Sequence, residues 1–164
     1  MKPDVARDAP LGVRWLAGGN GRDTLRKMGV TDQDNKPTTL GQEQRRVRDF
    51  LENKNQVCWM IQAGGKIVGA VWVNLEPNEY LRAPSVHIMI GDPAARGKGI
   101  GVQVFRSVVT WLENDQKYSK IYTRHLVSNV ASAKLAGKSG FVNSGETYRD
   151  SDGLLWQNML LDGG

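Results

Sequence analysis

The chain has 164 residues, and we expect residues 1–164 to form a single domain that can bury a core. No apolar run is long enough to span a bilayer, and the first residues lack the apolar block of a secretory signal. These two features predict a cytoplasmic protein with no membrane partner. The only cysteine, Cys58, excludes an internal disulfide framework and is expected to be a small buried apolar residue.

The formal net charge is +5, and it is unevenly distributed. Residues 91–140 hold 8 Lys/Arg and 3 Asp/Glu, whereas residues 141–164 hold 1 and 4. A positive patch facing an acidic segment suits an anionic ligand that meets a cationic one, although a mixed solvated surface would give the same counts. A nucleic-acid-binding surface would have a more lopsided excess of basic residues together with exposed aromatics, so we expect no nucleic-acid partner.

The apolar periodicity predicts an α+β (mixed α/β) protein. Segments rich in Val, Ile and Trp predict strands, and Ile100, Val104, Val108 and Leu112 recur every four residues, as in a helix. In chain order the predicted elements are a first strand at 12–17, helices at 21–30 and 38–54, a hairpin of 56–62 and 66–76, a strand at 85–91, a helix at 98–114, a strand at 119–127, a helix at 128–141, and a closing hairpin of 141–149 and 154–161.

The stretch "GDPAARGKGIG", residues 91–101, joins a predicted strand to a predicted helix. Backbone N–H groups at a helix start are unpaired, and glycines let an anion approach them closely. Arg96 and Lys98 add positive charge, so the stretch predicts a phosphate cradle, with a plain glycine-rich turn as the alternative. It is neither a nucleotide P-loop, because Gly99 follows Lys98, nor a G-x-G-x-x-G fingerprint, because residues 102 and 104 are not glycine.

A second motif, "NVASAKLAGKSGF" at residues 129–141, follows the next predicted strand. The two motifs together resemble the GNAT superfamily of acyl-CoA N-acyltransferases, whose loop reads Q/R-x-x-G-x-G/A and whose following helix reads N-x-x-A-x-x-L-Y-x-x-x-G-F. The resemblance covers residues 55–162 and is strongest to the branch that acetylates protein N-termini and some antibiotics. It implies a central, mostly antiparallel sheet of about six or seven strands flanked by helices.

The resemblance also implies acetyl-CoA as co-substrate and no metal. The pyrophosphate would bind the amides of residues 96–102, the pantetheine would run beside the strand at 85–91, and the N–H groups near Met89 and Ile90 would hold the oxyanion. The positions that it assigns to acetyl-CoA are Met89, Ile90, Gly91, Arg96, Gly97, Lys98, Gly99, Ile100, Gly101, Val102, Asn129 and Ser132.

One departure concerns the general acid of the family. The Tyr that follows Leu in the second motif is Ala136 here, so the usual proton donor to the leaving thiolate is absent. A thiol with a pKa of about 8.5 is a tolerable leaving group without an acid. The departure therefore concerns the protonation of the leaving thiolate more than it concerns whether the protein is active.

His87 and Glu76 are the candidate general bases. His87 lies on a predicted strand near the expected acyl position, and histidine titrates in the useful range, but a satisfied strand histidine would look the same. Glu76 ends the preceding strand, and Glu79 is a weaker candidate. His125 is expected to pack within its strand.

The acceptor side is the least defined. By resemblance, the hairpin with Glu146, Asp150 and Asp152 would wall the acceptor cleft, where carboxylates would attract a cationic amine; "DSDG" is also good turn sequence. The resemblance implies an N-acetyltransferase that acetylates a primary amine of a small molecule by direct attack. The alternatives are a peptide or protein N-terminal acetyltransferase and a noncatalytic acyl-CoA binding module. Because dimers are common in the family that the chain resembles, a homodimer is a further expectation.

Overall fold

The structure, a computed structural model, describes residues 1–164. It contains five α-helices and seven strands, and none of the helices is long and apolar enough to cross a membrane. The elements are α1 (Val5–Trp15), α2 (Gly18–Lys27), α3 (Leu40–Glu52), β1 (Gln56–Ala63), β2 (Lys66–Asn74), β3 (Ser85–Ile90), α4 (Ile100–Asn114), β4 (Lys120–Leu126), α5 (Val130–Lys138), β5 (Val142–Asn143), β6 (Tyr148–Arg149) and β7 (Leu155–Asp162).

All seven strands form one sheet in the order β1-β2-β3-β4-β7-β5, with β6 also paired to β7. Every pair is antiparallel except β3–β4, which is parallel. The mixed, mostly antiparallel sheet with flanking helices confirms the predicted fold class.

The parallel pair β3–β4 has a single registered contact, between Ser85 and Tyr122. The N–H of Tyr122 donates to Pro84 O at 2.9 Å, and the hydroxyl of Thr123 donates to Val86 O at 2.7 Å. Beyond these contacts the two strands diverge, so the second half of β3 has no strand neighbour on its β4 side.

The two faces of the sheet have different contents, because side chains alternate along a strand. Val73, Val86 and Ile121 point to the face covered by α4 and α5, where they form the main core with Leu112 and Phe141. The opposite face carries Trp72, Cys58 and His87, with α1 and α3 packed over its β1–β2 part.

The predicted strand at 12–17 is wrong, because this segment belongs to helix α1 and the turn after it. Asp4 caps α1 by accepting from the N–H of Arg7 at 2.8 Å. Ala9, Gly12 and Leu16 are buried at helical spacing, so the buried residues of this segment lie on one face of the helix.

Candidate functional site

A cavity of about 400 Å³ lies beside the unpaired half of β3. Its walls are β3, the loop that follows, the start of α4, and residues of α5 and α2. Ten of the twelve positions predicted for the co-substrate line it: Met89, Ile90, Arg96, Gly97, Gly99, Ile100, Gly101, Val102, Asn129 and Ser132. The other two, Gly91 and Lys98, do not.

The start of α4 presents unpaired backbone N–H groups to the cavity. Gly99 is the N-cap residue at φ +77°, and no side chain caps the helix. The first amide of the helix to find a backbone partner is that of Gln103, which donates to Gly99 O at 3.1 Å. The amides of residues 100–102 are therefore free to bind an anion, helped by the helix dipole.

Gly97 and Gly99 both have left-handed backbone conformations, with φ of +72° and +77°. A Cβ at either position would meet no atom within 4 Å, so neither glycine is required by packing against the protein. Both positions leave the backbone open toward the cavity, as a cradle for a bulky anion needs.

Gly91 and Gly101 are glycine for a different reason. A Cβ on Gly101 would collide with the Leu135 side chain, so this glycine lets α4 approach α5. A Cβ on Gly91 would collide with the Trp15 ring. Gly91 thus packs against α1 outside the cavity, which does not fit its predicted contact with the co-substrate.

Arg96 has a positional role that its charge alone does not reveal. Its Nε donates to Ile90 O at 2.9 Å, and its Nη2 donates to the Thr24 hydroxyl at 3.0 Å. The guanidinium therefore ties the glycine loop to the end of β3 and to α2. Lys98 is exposed on the loop and does not line the cavity.

The hydrogen-bond direction along β3 corrects the predicted oxyanion donors. The N–H of Gly91 donates to Val68 O on β2 at 2.9 Å. Because donors alternate in an antiparallel ladder, Met89 also donates to β2, and the N–H groups of Ile88 and Ile90 face the open side. Ile88, which the sequence reasoning missed, replaces Met89 as a donor toward the cavity.

Asn129 and Ser132 form the cap of α5. The Asn129 side chain accepts from the Ser132 N–H at 3.2 Å and donates to the Ser132 hydroxyl at 2.9 Å and to Lys27 O at 3.4 Å. Asn129 thus joins the start of α5 to the end of α2, and both of its polar groups are engaged within the protein.

Sequence reasoning also missed a basic rim around the cavity. Lys27 at the end of α2 and Lys134 and Lys138 on α5 all line it. Lys27 lies outside both motifs, and the two α5 lysines occupy positions that the second motif leaves unspecified. The spacing of four between Lys134 and Lys138, which places both on one helix face, was the available signal.

His87 lies on the opposite side of β3 from Ile88, outside the cavity lining. Its Nε2 is 2.9 Å from the Ser85 hydroxyl and 3.3 Å from Asn74 Nδ2, and its ring stacks on Trp72 with centroids 5.7 Å apart. Burial, and then the positive charge of Arg124, lowers the pKa of His87 to about 4. The ring is therefore neutral at neutral pH, with Nε2 accepting from the Asn74 amide.

Arg124 on β4 lies on the same face as His87. Its guanidinium carbon is 4.0 Å from the centroid of the Trp156 ring, and its Nη1 donates to the Tyr148 hydroxyl at 3.3 Å. The Tyr148 hydroxyl donates in turn to Asn158 Oδ1 at 2.9 Å. We call Arg124, Tyr148, Trp156 and Asn158 the Arg124 cluster.

The predicted carboxylates do not converge on this face. Glu76 and Glu79 are exposed on the segment between β2 and β3, at the end of β2 remote from the cavity. Glu146 and Asp152 are also exposed. Asp150 accepts from the Trp156 indole at 2.8 Å and from the N–H groups of Asp152 and Leu154, so it serves the turn.

Asp150 is held ionised by these bonds. Burial alone would raise the pKa of its carboxyl, but the hydrogen bonds from Trp156 and from two backbone N–H groups outweigh it, and the pKa lies below its usual value.

Three other predicted positions lie outside the cavity. Cys58 is buried, and burial raises the pKa of its thiol to about 12, so it is a packing residue. His125 is buried on its strand and shares a hydrogen bond of 2.8 Å with Leu126 O. Ala136 is buried in the main core, and no tyrosine lines the cavity in its place.

The architecture is similar to that of several solved acetyltransferase structures. The structure superposes with a TM-score of 0.75 and 19% identity on the aminoglycoside acetyltransferase AAC(6')-Ib in complex with coenzyme A and kanamycin, covering 98% of this chain and 92% of that one. For the spermidine N-acetyltransferase from Vibrio cholerae, in complex with CoA and spermine, the TM-score is 0.72 and the identity 17%, covering 95% and 90%. For the microcin C7 self immunity acetyltransferase MccE, in complex with acetyl-CoA and AMP, the values are 0.76 and 14%, covering 99% and 90%.

At the level of sequence, no curated protein matches the chain. The family model for the acetyltransferase (GNAT) domain matches residues 11–142, which is more than half of the chain. With its diverging parallel strands and the glycine loop at the start of α4, the chain belongs to the GNAT acetyltransferase family.

Proposed function

We propose that the protein transfers an acetyl group from acetyl-CoA to a primary amine of a small molecule. The observation that carries the proposal is the cavity where unpaired α4 amides, reached past Gly97 and Gly99, meet the unpaired edge of β3. Unpaired amides at the start of α4 and a free strand edge on β3 suit a ligand with both a phosphate group and an extended, amide-bearing arm.

The residues of the cavity fit acetyl-CoA as co-substrate. The amides of residues 100–102 would hold the pyrophosphate, and the rim lysines Lys27, Lys134 and Lys138 would hold further phosphate charge. The free edge of β3 would pair with the pantetheine arm in the manner of an added strand, with the N–H groups of Ile88 and Ile90 as donors.

The reaction itself is a direct attack. The amine nitrogen bonds to the acetyl carbon, the carbon–sulfur bond breaks, CoA leaves as thiolate, and the amine gives up a proton. Since a thiol has a pKa of about 8.5, the thiolate leaves without a protonated side chain, in agreement with Ala136 at the usual tyrosine position. An N–H of Ile88 or Ile90 would stabilise the developing oxyanion.

For His87 to accept the amine proton, its Nε2 would first have to give up the hydrogen bond from the Asn74 amide. Its pKa of about 4 makes it a weak base that stays neutral across the physiological range and releases any proton it receives to water. We keep His87 as the candidate proton acceptor and place Glu76 outside the site, because it lies at the remote end of β2.

The experiment is a release assay for the CoA thiol with purified protein, acetyl-CoA and a panel of amines: spermidine, kanamycin, amino acids and amino sugars. The only cysteine of the chain, Cys58, is buried, so the folded protein shields its own thiol from the thiol reagent. We expect amine-dependent thiol release above the rate of hydrolysis. Acetyl-CoA binding with no acetylation of any amine would instead support a noncatalytic acyl-CoA binding module.

A further inference from the structure

We infer that the acceptor amine carries an anionic group, a carboxylate or a phosphate, and that Arg124 binds this anion beside the acetyl-transfer position. The inference rests on the proposed function and deepens it by naming a substrate class. It rests on the place of Arg124 in the sheet, the way its guanidinium is held, and the absence of an ion pair between it and any carboxylate.

The first step concerns position. Arg124 and His87 each lie two residues beyond the one registered β3–β4 pair, Ser85 and Tyr122. Because side chains alternate and the strands are parallel, all four point to the same face. The hydroxyl of Thr123 still reaches Val86 O at 2.7 Å, so the strands are adjacent one residue before Arg124. Arg124 therefore lies at the mouth of the opening between β3 and β4, on the side away from α4.

The second step concerns the guanidinium. It lies over Trp156 at 4.0 Å and uses one N–H for the Tyr148 hydroxyl, which fixes its plane without neutralising its charge. No carboxylate oxygen lies within 4.0 Å of it: the five ion pairs of the structure involve other residues. A half-buried guanidinium with most of its five donors free is suited to bind a carboxylate or phosphate through paired hydrogen bonds.

The third step concerns negative charge. A polyamine or an aminoglycoside would need carboxylates on this face. Asp150, whose pKa the charge of Arg124 helps to lower, already accepts from the Trp156 indole and two backbone N–H groups. Glu76, Glu79 and Glu146 are exposed, and none of them forms a hydrogen bond or ion pair with the Arg124 cluster. On this face Arg124 thus keeps free donors while the oxygens of Asp150 are occupied, which favours an anionic group over a polycation.

The walls of this face are aromatic, which guides the choice of probes. Tyr80 stacks on Tyr148 with centroids 5.4 Å apart, and Trp72 stacks on His87. An aromatic amino acid is therefore a suitable first acceptor. Phenylalanine and phenethylamine form a matched pair that differs by the carboxylate, and phosphoethanolamine and ethanolamine form a matched pair that differs by the phosphate.

The test compares kcat/KM within each pair for the wild-type protein and for Arg124→Gln, with acetyl-CoA affinity measured in parallel. We expect the wild type to prefer at least one anionic member over its partner by tenfold or more. In Arg124→Gln, kcat/KM for that anionic member should fall ten- to a hundredfold, the size of a lost charged hydrogen-bond pair, with acetyl-CoA affinity unchanged. The pair that shows the preference distinguishes a carboxylate from a phosphate.

Two controls accompany the test. Arg149→Gln removes an exposed arginine that donates to Gly153 O, and it should leave the preference intact. Arg124→Lys keeps the charge but loses the paired donors, and it serves as the test variant if Arg124→Gln does not fold. It should retain only part of the preference for the anionic amine.

The inference is overturned if the wild type acetylates phenethylamine, ethanolamine, spermidine or kanamycin as well as it acetylates the anionic amines. It is also overturned if the preference for the anionic amine survives Arg124→Gln. Acetylation of only those other amines would overturn the inference and leave the proposed function standing. Failure of the folded wild type to bind acetyl-CoA would overturn the proposed function, and the inference with it.

Discussion

At the scale of single residues, Gly99 and Gly153 form a natural matched pair. Both have left-handed backbones, with φ of +77° and +79°, and a Cβ at either would meet no protein atom within 4 Å. Replacement by Val therefore costs similar strain, about 1–2 kcal/mol of unfolding free energy at each position. Only Gly99 lines the cavity. We expect Gly99→Val to weaken acetyl-CoA binding at least tenfold and Gly153→Val to change it less than twofold.

Calorimetric titration with acetyl-CoA measures the affinities, and urea unfolding measures the strain. Equal affinities for the two variants, at equal stability, would show that the α4 amides do not hold the co-substrate. Gly101 is a poorer test, because its Cβ would strike Leu135 and disturb the α4–α5 contact instead.

His87 gives a prediction about pH. Its pKa is lowered to about 4 in the folded protein, chiefly by burial, whereas an unfolded histidine titrates near 6.5. Between these values the unfolded chain binds the extra proton, so the folded state loses stability as the pH falls from about 6.5 to 4. The loss amounts to at most about 3 kcal/mol.

Urea unfolding at pH values between 7.5 and 4 tests this effect. The wild type should lose stability over that window faster than His87→Gln, whose side chain does not titrate. Parallel curves for the two proteins would show that the pKa of His87 is not depressed. The same low pKa predicts that His87 gives no inflection in the rate profile near pH 6.5.

At the scale of elements, substitutions of Asn129 at the start of α5 can distinguish a structural role of this residue from a direct role in co-substrate binding. Its side chain caps the helix and reaches Lys27 O, with both polar groups engaged. We expect Asn129→Ala to lower the unfolding free energy by about 1–2 kcal/mol and to weaken acetyl-CoA binding indirectly. Asn129→Ser keeps a capping hydroxyl, so it should retain most of the stability and the affinity.

Stability of these variants is read from thermal or urea unfolding, and affinity from calorimetry. A stable Asn129→Ser protein that no longer binds acetyl-CoA would assign Asn129 a direct contact with the co-substrate, as the family resemblance implies.

The sequence predicts an element well when the residues that determine it are close together in the chain. Thr39 and Asn129 cap their helices through residues three positions away, and Gly140 at φ +97° follows α5 as its sequence indicates. The strand predicted at 12–17 was wrong because the burial of Ala9 and Leu16 depends on packing against the rest of the fold. The direction of the Met89 N–H likewise depends on its register with β2, set by the bond from Gly91 to Val68.

The candidate site shows the same difference between features set by neighbouring residues and features set by the folded sheet. The glycine loop and the cap of α5 are short motifs, and the sequence places both at the cavity. The Arg124 cluster was missed because its members come from β4, β6 and β7, which are neighbours only in the folded sheet. The acidic hairpin pointed to a cationic acceptor, but in the structure Asp150 is used within its own turn.

At the scale of the whole molecule, exposed lysines form a rim at the cavity end of the sheet. Lys134 and Lys138 are exposed on the cavity rim, whereas Lys54 is exposed near the start of β1, at the opposite end. We expect the double change of Lys134 and Lys138 to Gln to weaken acetyl-CoA binding about three- to tenfold at low salt, because each exposed lysine–phosphate pair contributes up to about 1 kcal/mol. Lys54→Gln should have no effect.

Calorimetry at low and high ionic strength measures this contribution. The wild-type affinity should fall as salt is added, and the double variant should show a smaller fall. A salt dependence that is the same in all three proteins would mean that the rim lysines do not contact the phosphates.

The sheet that diverges between β3 and β4, with the α4 amides at its open end, supports one central claim: this cavity binds acetyl-CoA. The most direct test is calorimetric titration of the folded wild-type protein with acetyl-CoA. The account predicts one site per chain with a dissociation constant in the micromolar range. Absence of binding by folded protein would contradict it, and the glycines of residues 91–101 would then form only a turn.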